Sequence, residues 1–143
     1  MTVERLEAKH LPDVAALESL CFSHPWSEHA LALLLQDGNF GLAATENGRV
    51  VAYVGLTTVL DEGAITNVAT HPDCRRKGYA RAILRALLCE AEARGICRIT
   101  LEVRESNDGA KALYESLGFM ICGKRRNFYT APREDGLVLE KIL

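Results

Sequence analysis

The stretch LEVRESNDGAKALYESLGF, Leu101 to Phe119, switches its hydrophobic period part-way through. Ile99, Leu101 and Val103 alternate with Thr100, Glu102 and Arg104, which predicts a half-buried strand. From about Asn107 to Leu117 the spacing becomes helical. Asn107 stands where a helix N-cap belongs and Gly118 where a helix stops. Working back, Gly78 to Arg94 carries Ala82, Ile83, Ala86, Leu87 and Ala91 at helical spacing and ends at Gly95. Before it lie three strand-like runs. Gly41 to Thr45 and Val50 to Val59 flank Asn47-Gly48, a strong hairpin signal. After a break at Asp61-Glu62-Gly63 comes Ala64 to Thr70. Toward the N-terminus, Val3 to Leu6 reads as a short strand. Pro12 opens a helix whose stripe is Val14, Leu17, Leu20 and Cys21, and Ser27 caps a second helix to about Gln36. Two strands close the chain, near Met120 to Arg126 and Leu137 to Ile142. The order β-α-α-β-β-β-α-β-α-β-β describes a mixed α/β sandwich around a central, mostly antiparallel sheet.

At 143 residues the chain has room for one domain and no second, so residues 1–143 are expected to fold as a unit. Hydrophobic residues at 48% and charged residues at 25% exclude disordered and collagen-like classes. A formal charge of -2 and a pI near 6.1 argue against general nucleic-acid binding, so any phosphate handling must be local. The longest apolar runs, such as Leu31 to Leu35, fall far short of the roughly 18 residues of a membrane span. Glu4, Arg5, Glu7 and Lys9 sit where a signal peptide would be apolar. Five cysteines without a C-x-x-C pair fit neither a disulfide framework nor a zinc knuckle. A reducing cytoplasm is expected, with Cys89 and Cys97 packing as small apolar residues. His71-x-x-Cys74 lacks further ligands nearby, and no metal is expected.

Two segments carry chemistry. In the first, the strand ending at Thr70 runs into Arg75-Arg76-Lys77-Gly78-Tyr79-Ala80 and then a long helix. Free amides at a helix start bind anions, Gly78 lets the backbone approach a phosphate, and Arg75, Arg76, Lys77 and Arg81 add charge. Alone, the turn reads equally well as a solvated basic loop. It is neither a Walker loop nor a dinucleotide-binding G-x-G-x-x-G. In the second, Glu102 taken alone is a solvent-facing carboxylate beside an arginine, Asn107 an N-cap, and Tyr114 a half-buried core tyrosine with its hydroxyl at the rim.

Together the segments resemble the GNAT superfamily of acetyl-CoA-dependent N-acetyltransferases. The likeness lies in R-x-x-G-x-A at Arg75, Gly78 and Ala80, and in N-x-x-A-x-x-L-Y at Asn107, Ala110, Leu113 and Tyr114 followed by Gly118-Phe119. It extends to the RimI-type ribosomal-protein alanine N-acetyltransferases through CFSHPWSE (Cys21 to Glu28), Ile65 to Ala69, LEVRESN and RRNFY (Arg125 to Tyr129). The resemblance implies a GNAT fold with a V-shaped opening between the strand ending near Thr70 and the strand Ile99 to Val103, and coenzyme A lying in it. Backbone groups of Val68, Ala69 and Thr70 would pair with the pantetheine arm. Amides from Arg76 to Arg81 would hold the pyrophosphate, and Asn107 would contact the pantetheine. By the same likeness Glu102 is the general base and Tyr114 the general acid, while Phe22, Trp26, Phe128 and Tyr129 line the substrate site.

The implied function is acetylation of a protein N-terminal α-amine, that of alanine on a small-subunit ribosomal protein, in the cytoplasm and without membrane or nucleic-acid contact. An α-amine near pKa 7.7–8.0 needs only a modest base, and a leaving thiolate benefits from a tyrosine's proton. A GNAT acting on lysine or a small amine is the close alternative. A non-catalytic CoA-binding module is the distant one, against which Glu102 and Tyr114 both speak. The sequence departs from the pattern at two places. Ala80 replaces the commoner second glycine of the loop, and Phe128 stands where relatives often have the first of two tyrosines. Trp26 reads equally as a wall of the peptide site or as a core residue pinning two helices.

Overall fold

The computed structural model describes residues 1–143 and follows the expected element order throughout. Strand β1 (Thr2–Arg5) precedes helices α1 (Leu11–Cys21) and α2 (Glu28–Leu31), then β2 (Phe40–Glu46), β3 (Arg49–Val59) and β4 (Glu62–Thr70). Helix α3 (Tyr79–Ala93), β5 (Arg98–Arg104), α4 (Asp108–Ser116), β6 (Met120–Tyr129) and β7 (Glu134–Ile142) complete it. All seven strands form one sheet in the order β1-β2-β3-β4-β5-β7-β6. No helix is long and apolar enough to cross a membrane.

Every neighbouring pair is antiparallel except β4 and β5, which run parallel and touch at only three positions: Glu62 with Arg98, Gly63 with Ile99 and Ala64 with Thr100. The ladder ends there for a local reason. Leu56 of β3 pairs with Ile65 and Val54 with Val68, so Thr66 and Asn67 together oppose Gly55 alone. Such a bulge bends its strand and increases the twist, so β4 leaves β5 where the bulge begins. Gly55 makes the bulge possible. A Cβ at that position would lie 2.6 Å from both Thr66 Oγ1 and a methyl of Leu34. The expected V-shaped opening is the space between the two diverging strands.

Helices α3 and α4 cover one face of the sheet, and α1 and α2 the other. On α3 the buried residues Tyr79, Ile83, Leu84, Leu87 and Ala91 form one stripe against Val54, Leu56, Ile99 and Leu101. Truncating Leu87 to alanine there would cost about 2–5 kcal/mol. Gly78 and Gly95 bracket this helix at φ of 83° and 81°, conformations that strain side-chain-bearing residues. The opposite cluster joins Leu11, Val14 and Leu17 of α1 to Leu31, Leu34, Ala43, Tyr53 and Ala69.

The structure corrects several local expectations. The stripe of α1 runs through Leu11, Val14, Leu17 and Glu18, leaving Leu20 at 58% exposure, because the 3.6-residue period carries the buried face from Val14 to Glu18. Ser27 does cap α2, its Oγ accepting from Ala30 N at 3.1 Å. After one turn the chain tightens to a 3-10 helix at Ala32–Leu35, whose Leu33 carbonyl is shared by Gln36 N and Asn39 Nδ2. Glu62 and Gly63 belong to β4, since the turn is made by Leu60 at φ 56°. Strands β6 and β7 extend toward each other past their expected ends. Cys89 and Cys97 are exposed rather than packed. Cys89 lies off the buried stripe of α3, and Cys97 sits in the short link directly before β5.

Candidate active site

A groove of about 700 Å3 runs from the free end of β4 past the start of α3 to α4. Val68, Ala69 and Thr70 form its β4 wall, and Arg75, Arg76, Gly78, Tyr79, Ala80 and Arg81 bring the turn and helix start to it. Lys77 does not line it. The Tyr79 ring is buried in the core and its hydroxyl donates to Glu46, a bond that, with burial, pushes the phenol up to about 12. What Tyr79 offers the groove is therefore main chain. Gly78 has no side chain with which to cap α3, and a Cβ there would meet nothing within 4 Å, so the amides at the helix start stay open to a ligand. Arg75 and Arg81 direct their guanidinium groups to neutral partners. Arg75 Nε reaches Thr70 O at 3.4 Å, and Arg81 Nη1 reaches Ser116 Oγ at 2.9 Å. Both charges are thus uncompensated by these contacts. Open amides and cations at one end can take phosphate groups, and the free edge of β4 can pair with an extended amide chain. Arg75 and the Cys21 thiol at present occupy the Thr70 carbonyl, so both must yield it to such a chain.

A second groove of about 660 Å3 lies on the other side of the opening. Glu102 of β5 lines it, together with Phe22 and Trp26 from the segment between α1 and α2 and with Phe128 and Tyr129 of β6. Glu102 is about one-third exposed, with Oε1 3.4 Å from Arg125 Nε. The expected arginine partner is present, but so exposed a pair contributes under about 1 kcal/mol and leaves the carboxylate available. Phe128 and Tyr129 pack edge to face at 5.0 Å. Trp26 packs against the α1 core while lining the groove.

The grooves share Tyr114, Asn107, Ala110, Val68, Cys21 and Phe22. Asn107 caps α4, its Oδ1 accepting from Ala110 N at 3.2 Å. Tyr114 is buried to 8% exposure with its ring edge-on to Phe119, and burial first, Tyr129 second, pushes its phenol up to about 12. Its proton stays in place at neutral pH.

Four contributors were not legible as site residues. Arg104 gathers the turn after β6: it donates to Pro132 O at 2.9 Å and Thr130 O at 3.2 Å, pairs with Glu134 at 3.3 Å and lies 4.6 Å from the Tyr129 ring centre. Thr130 in turn meets His24 at 3.2 Å, joining that turn to the segment before α2. Asn67 lines the second groove, and the fully buried Glu18 stands behind it. The available signals were the motifs that contain Asn67, Arg104 and His24, and Glu18's spacing of one turn from Val14 on α1.

Residues 11–119 match the acetyltransferase (GNAT) family model. The chain belongs to the GNAT family. It is accordingly an N-acetyltransferase. This GNAT chain is 40% identical over 140 residues to the ribosomal protein bS18-alanine N-acetyltransferase of Escherichia coli (strain K12), a match covering 96% of this chain and 95% of that protein. The crystal structure of the ribosomal-protein-S18-alanine N-acetyltransferase from Escherichia coli matches it with a TM-score of 0.92 at 39% identity, over 99% of this chain and 92% of that one. An aminoglycoside 6'-N-acetyltransferase complexed with coenzyme A shares the GNAT fold, with a TM-score of 0.86 at 12% identity over 99% and 97% of the two chains.

Proposed function

We propose that this enzyme transfers the acetyl group of acetyl-CoA to the N-terminal α-amine of a protein, with the alanine of ribosomal protein bS18 as its acceptor. In this reading residues 1–143 work as one domain in the cytoplasm. The observation that carries it is the meeting of two chemically different grooves at Tyr114. One offers main-chain groups and cations to a phosphorylated carrier, and the other offers a carboxylate and aromatic walls to a peptide end.

Acetyl-CoA supplies an acetyl thioester. Open amides from Arg76 to Arg81, with Arg75, Arg76 and Arg81 around them, would hold its pyrophosphate, and the edge of β4 at Val68 to Thr70 would pair with its pantetheine arm. Glu102 receives the proton that the amine must lose as its nitrogen bonds to the carbonyl carbon. Tyr114 donates its proton to the sulfur as the carbon–sulfur bond breaks. A phenol raised to about 12 is fully protonated at neutral pH, so the proton is there to give, although the rise makes the phenol a weaker acid than a free tyrosine. The free thiol leaves with that proton, and Tyr114 is reprotonated for the next turnover.

The choice of amine follows from the modest base. A lysine ε-amine near pKa 10.4, against about 7.8 for an α-amine, needs roughly 3.5 kcal/mol more to expose its lone pair at neutral pH. Phe22, Trp26, Phe128 and Tyr129 line the groove and, in this reading, favour an extended chain end with a small first side chain. Peptides beginning with alanine, and the same peptides with a bulky first residue or an internal lysine, test this by mass spectrometry of the product. Acetate on the α-amine of the alanine peptide is expected. Acetate mainly on lysine, or equal rates with a bulky first residue, would replace this reading by that of a broader GNAT enzyme.

A further inference from the structure

Glu18 is 0% exposed on α1 and no cation touches it. Its Oε1 accepts from Trp26 N at 2.9 Å and Asn67 Nδ2 at 3.2 Å, and its Oε2 accepts from Tyr53 Oη at 2.6 Å and Asn67 Nδ2 at 3.0 Å. Burial first, then the bond to Glu18, holds the Tyr53 phenol protonated, so that hydroxyl is a donor. Burying a carboxyl among neutral donors is a poor way to gain stability, since well-packed apolar groups of similar size usually serve as well or better. Its partners indicate what it does instead. Trp26 and Asn67 are both walls of the second groove, contributed by segments far apart in sequence.

The bulge of β4 brings Asn67 to this position. In a regular strand Asn67 would share a face with Ile65, which packs under α3. With Thr66 and Asn67 both opposing Gly55, the alternation shifts by one. Val68 joins Ile65 on the α3 side, while Asn67 falls with Ala69 on the α1 side, within reach of Glu18. Which way the carboxamide turns is then settled by hydrogen-bond chemistry. Both oxygens of Glu18 accept, so Asn67 must present its nitrogen to them. Its oxygen is held at the opposite end of the amide plane.

We propose that Glu18 is a positioning residue that fixes Asn67 with its Oδ1 toward the acceptor groove, where that oxygen receives a hydrogen bond from the substrate's α-amine. This rests on the acceptor assignment of the second groove made above. A neutral amine has two N–H donors and one lone pair. Anchoring one N–H on a fixed acceptor restricts where the lone pair points, an orientation effect that speeds attack on a bound thioester. Asn67 therefore contacts substrate, whereas Glu18 acts only through Asn67 and Trp26.

The test uses the full chain, acetyl-CoA and a peptide beginning with alanine, with the same peptide lacking its α-amino group as a competitive inhibitor. Asn67→Ala should raise the KM of the peptide about tenfold, the scale of one hydrogen bond to a polar or charged group, and leave the KM of acetyl-CoA within about twofold. It should also shrink the parental preference for the amino peptide over the desamino inhibitor. Glu18→Gln keeps the side chain's shape but can turn its own NH2 toward Asn67 and release the amide, so the same shift in smaller measure is expected. A peptide KM unchanged in Asn67→Ala, equal rises in both KM values, or an undiminished amino-over-desamino preference would overturn the proposal. If the parental enzyme acetylates no α-amine, the acceptor assignment fails first and this inference falls with it.

Discussion

The two grooves that meet at Tyr114 are built by opposite means. The first takes its ligand-facing groups mainly from one run, residues 68 to 81, with α4 as its far wall, and works through main chain: a diverging strand edge and a helix start whose cap residue, Gly78, has no side chain. The second is assembled from side chains on the segment between α1 and α2, on β4, β5 and β6 and on the turn after β6, held by two polar hubs at Glu18 and Arg104. A surface made of backbone tolerates many side-chain changes, provided the backbone keeps its path. A surface made of side chains depends on each residue that aims them.

The sharpest test of this division is at the boundary. Tyr114→Phe keeps the ring against Phe119 and removes the proton, so kcat should fall about 10²–10⁴-fold while the KM of acetyl-CoA changes little. An equal loss of cofactor binding would show that Tyr114 belongs to the first groove alone. Its pH behaviour has a definite sign. Because the phenol is raised to about 12, the acid form persists across the neutral range, and kcat should show no alkaline fall from this group below about pH 11. Stability contributed by the neutral phenol is complete below the unfolded value near 10 and is lost as pH rises from there through the folded value.

Glu102→Gln should lower turnover about 10²-fold at pH 7, with the deficit shrinking as pH rises and bulk water frees more amine. A pH-independent deficit would move Glu102 from proton acceptor to a role in holding the groove. Gly78→Glu attacks the backbone-built groove where it is weakest. In the parental enzyme, coenzyme A at about 100 times its Kd should add roughly 2.7 kcal/mol and raise Tm by about 5–10 °C. A folded Gly78→Glu chain should lose that rise, and retention of it would put the pyrophosphate elsewhere. Arg104→Lys should have the smallest effect. Lysine keeps the charge but not the planar fork that holds two carbonyls and stacks on Tyr129, so the peptide KM should rise about 3–10-fold with the coenzyme A shift intact.

The same division explains what could be read in advance. Asn47-Gly48 specifies its hairpin, with φ of 51° and 79°, and Gly78 and Gly95 mark both ends of α3, because turn chemistry is written in adjacent residues. The cofactor motifs are equally local. The turn at Leu60 was hidden because leucine seldom takes a positive φ, so the break was expected at Asp61 to Gly63 instead. The far end of β6 escaped notice because it is an edge strand whose residues are nearly all exposed, and no alternation marks it. Glu18 was masked by its own helix: a charged residue beside Leu17 invites the reading that the stripe passes through Leu20. Asn67 was legible only as part of the Ile65 to Ala69 likeness, since its facing depends on a bulge that only the pairing of β3 with β4 creates.

That bulge behaves as a reading frame in space. One supernumerary residue opposite Gly55 assigns every later position of β4 to its side of the sheet, as an inserted nucleotide reassigns every later codon. Removing Thr66 would erase no chemical group used in catalysis, yet it would leave Asn67 alone opposite Gly55, straighten β4 and take away the divergence from β5 in which the two grooves open. The two-substrate character of the enzyme is in this sense encoded by a count of residues as much as by their identities.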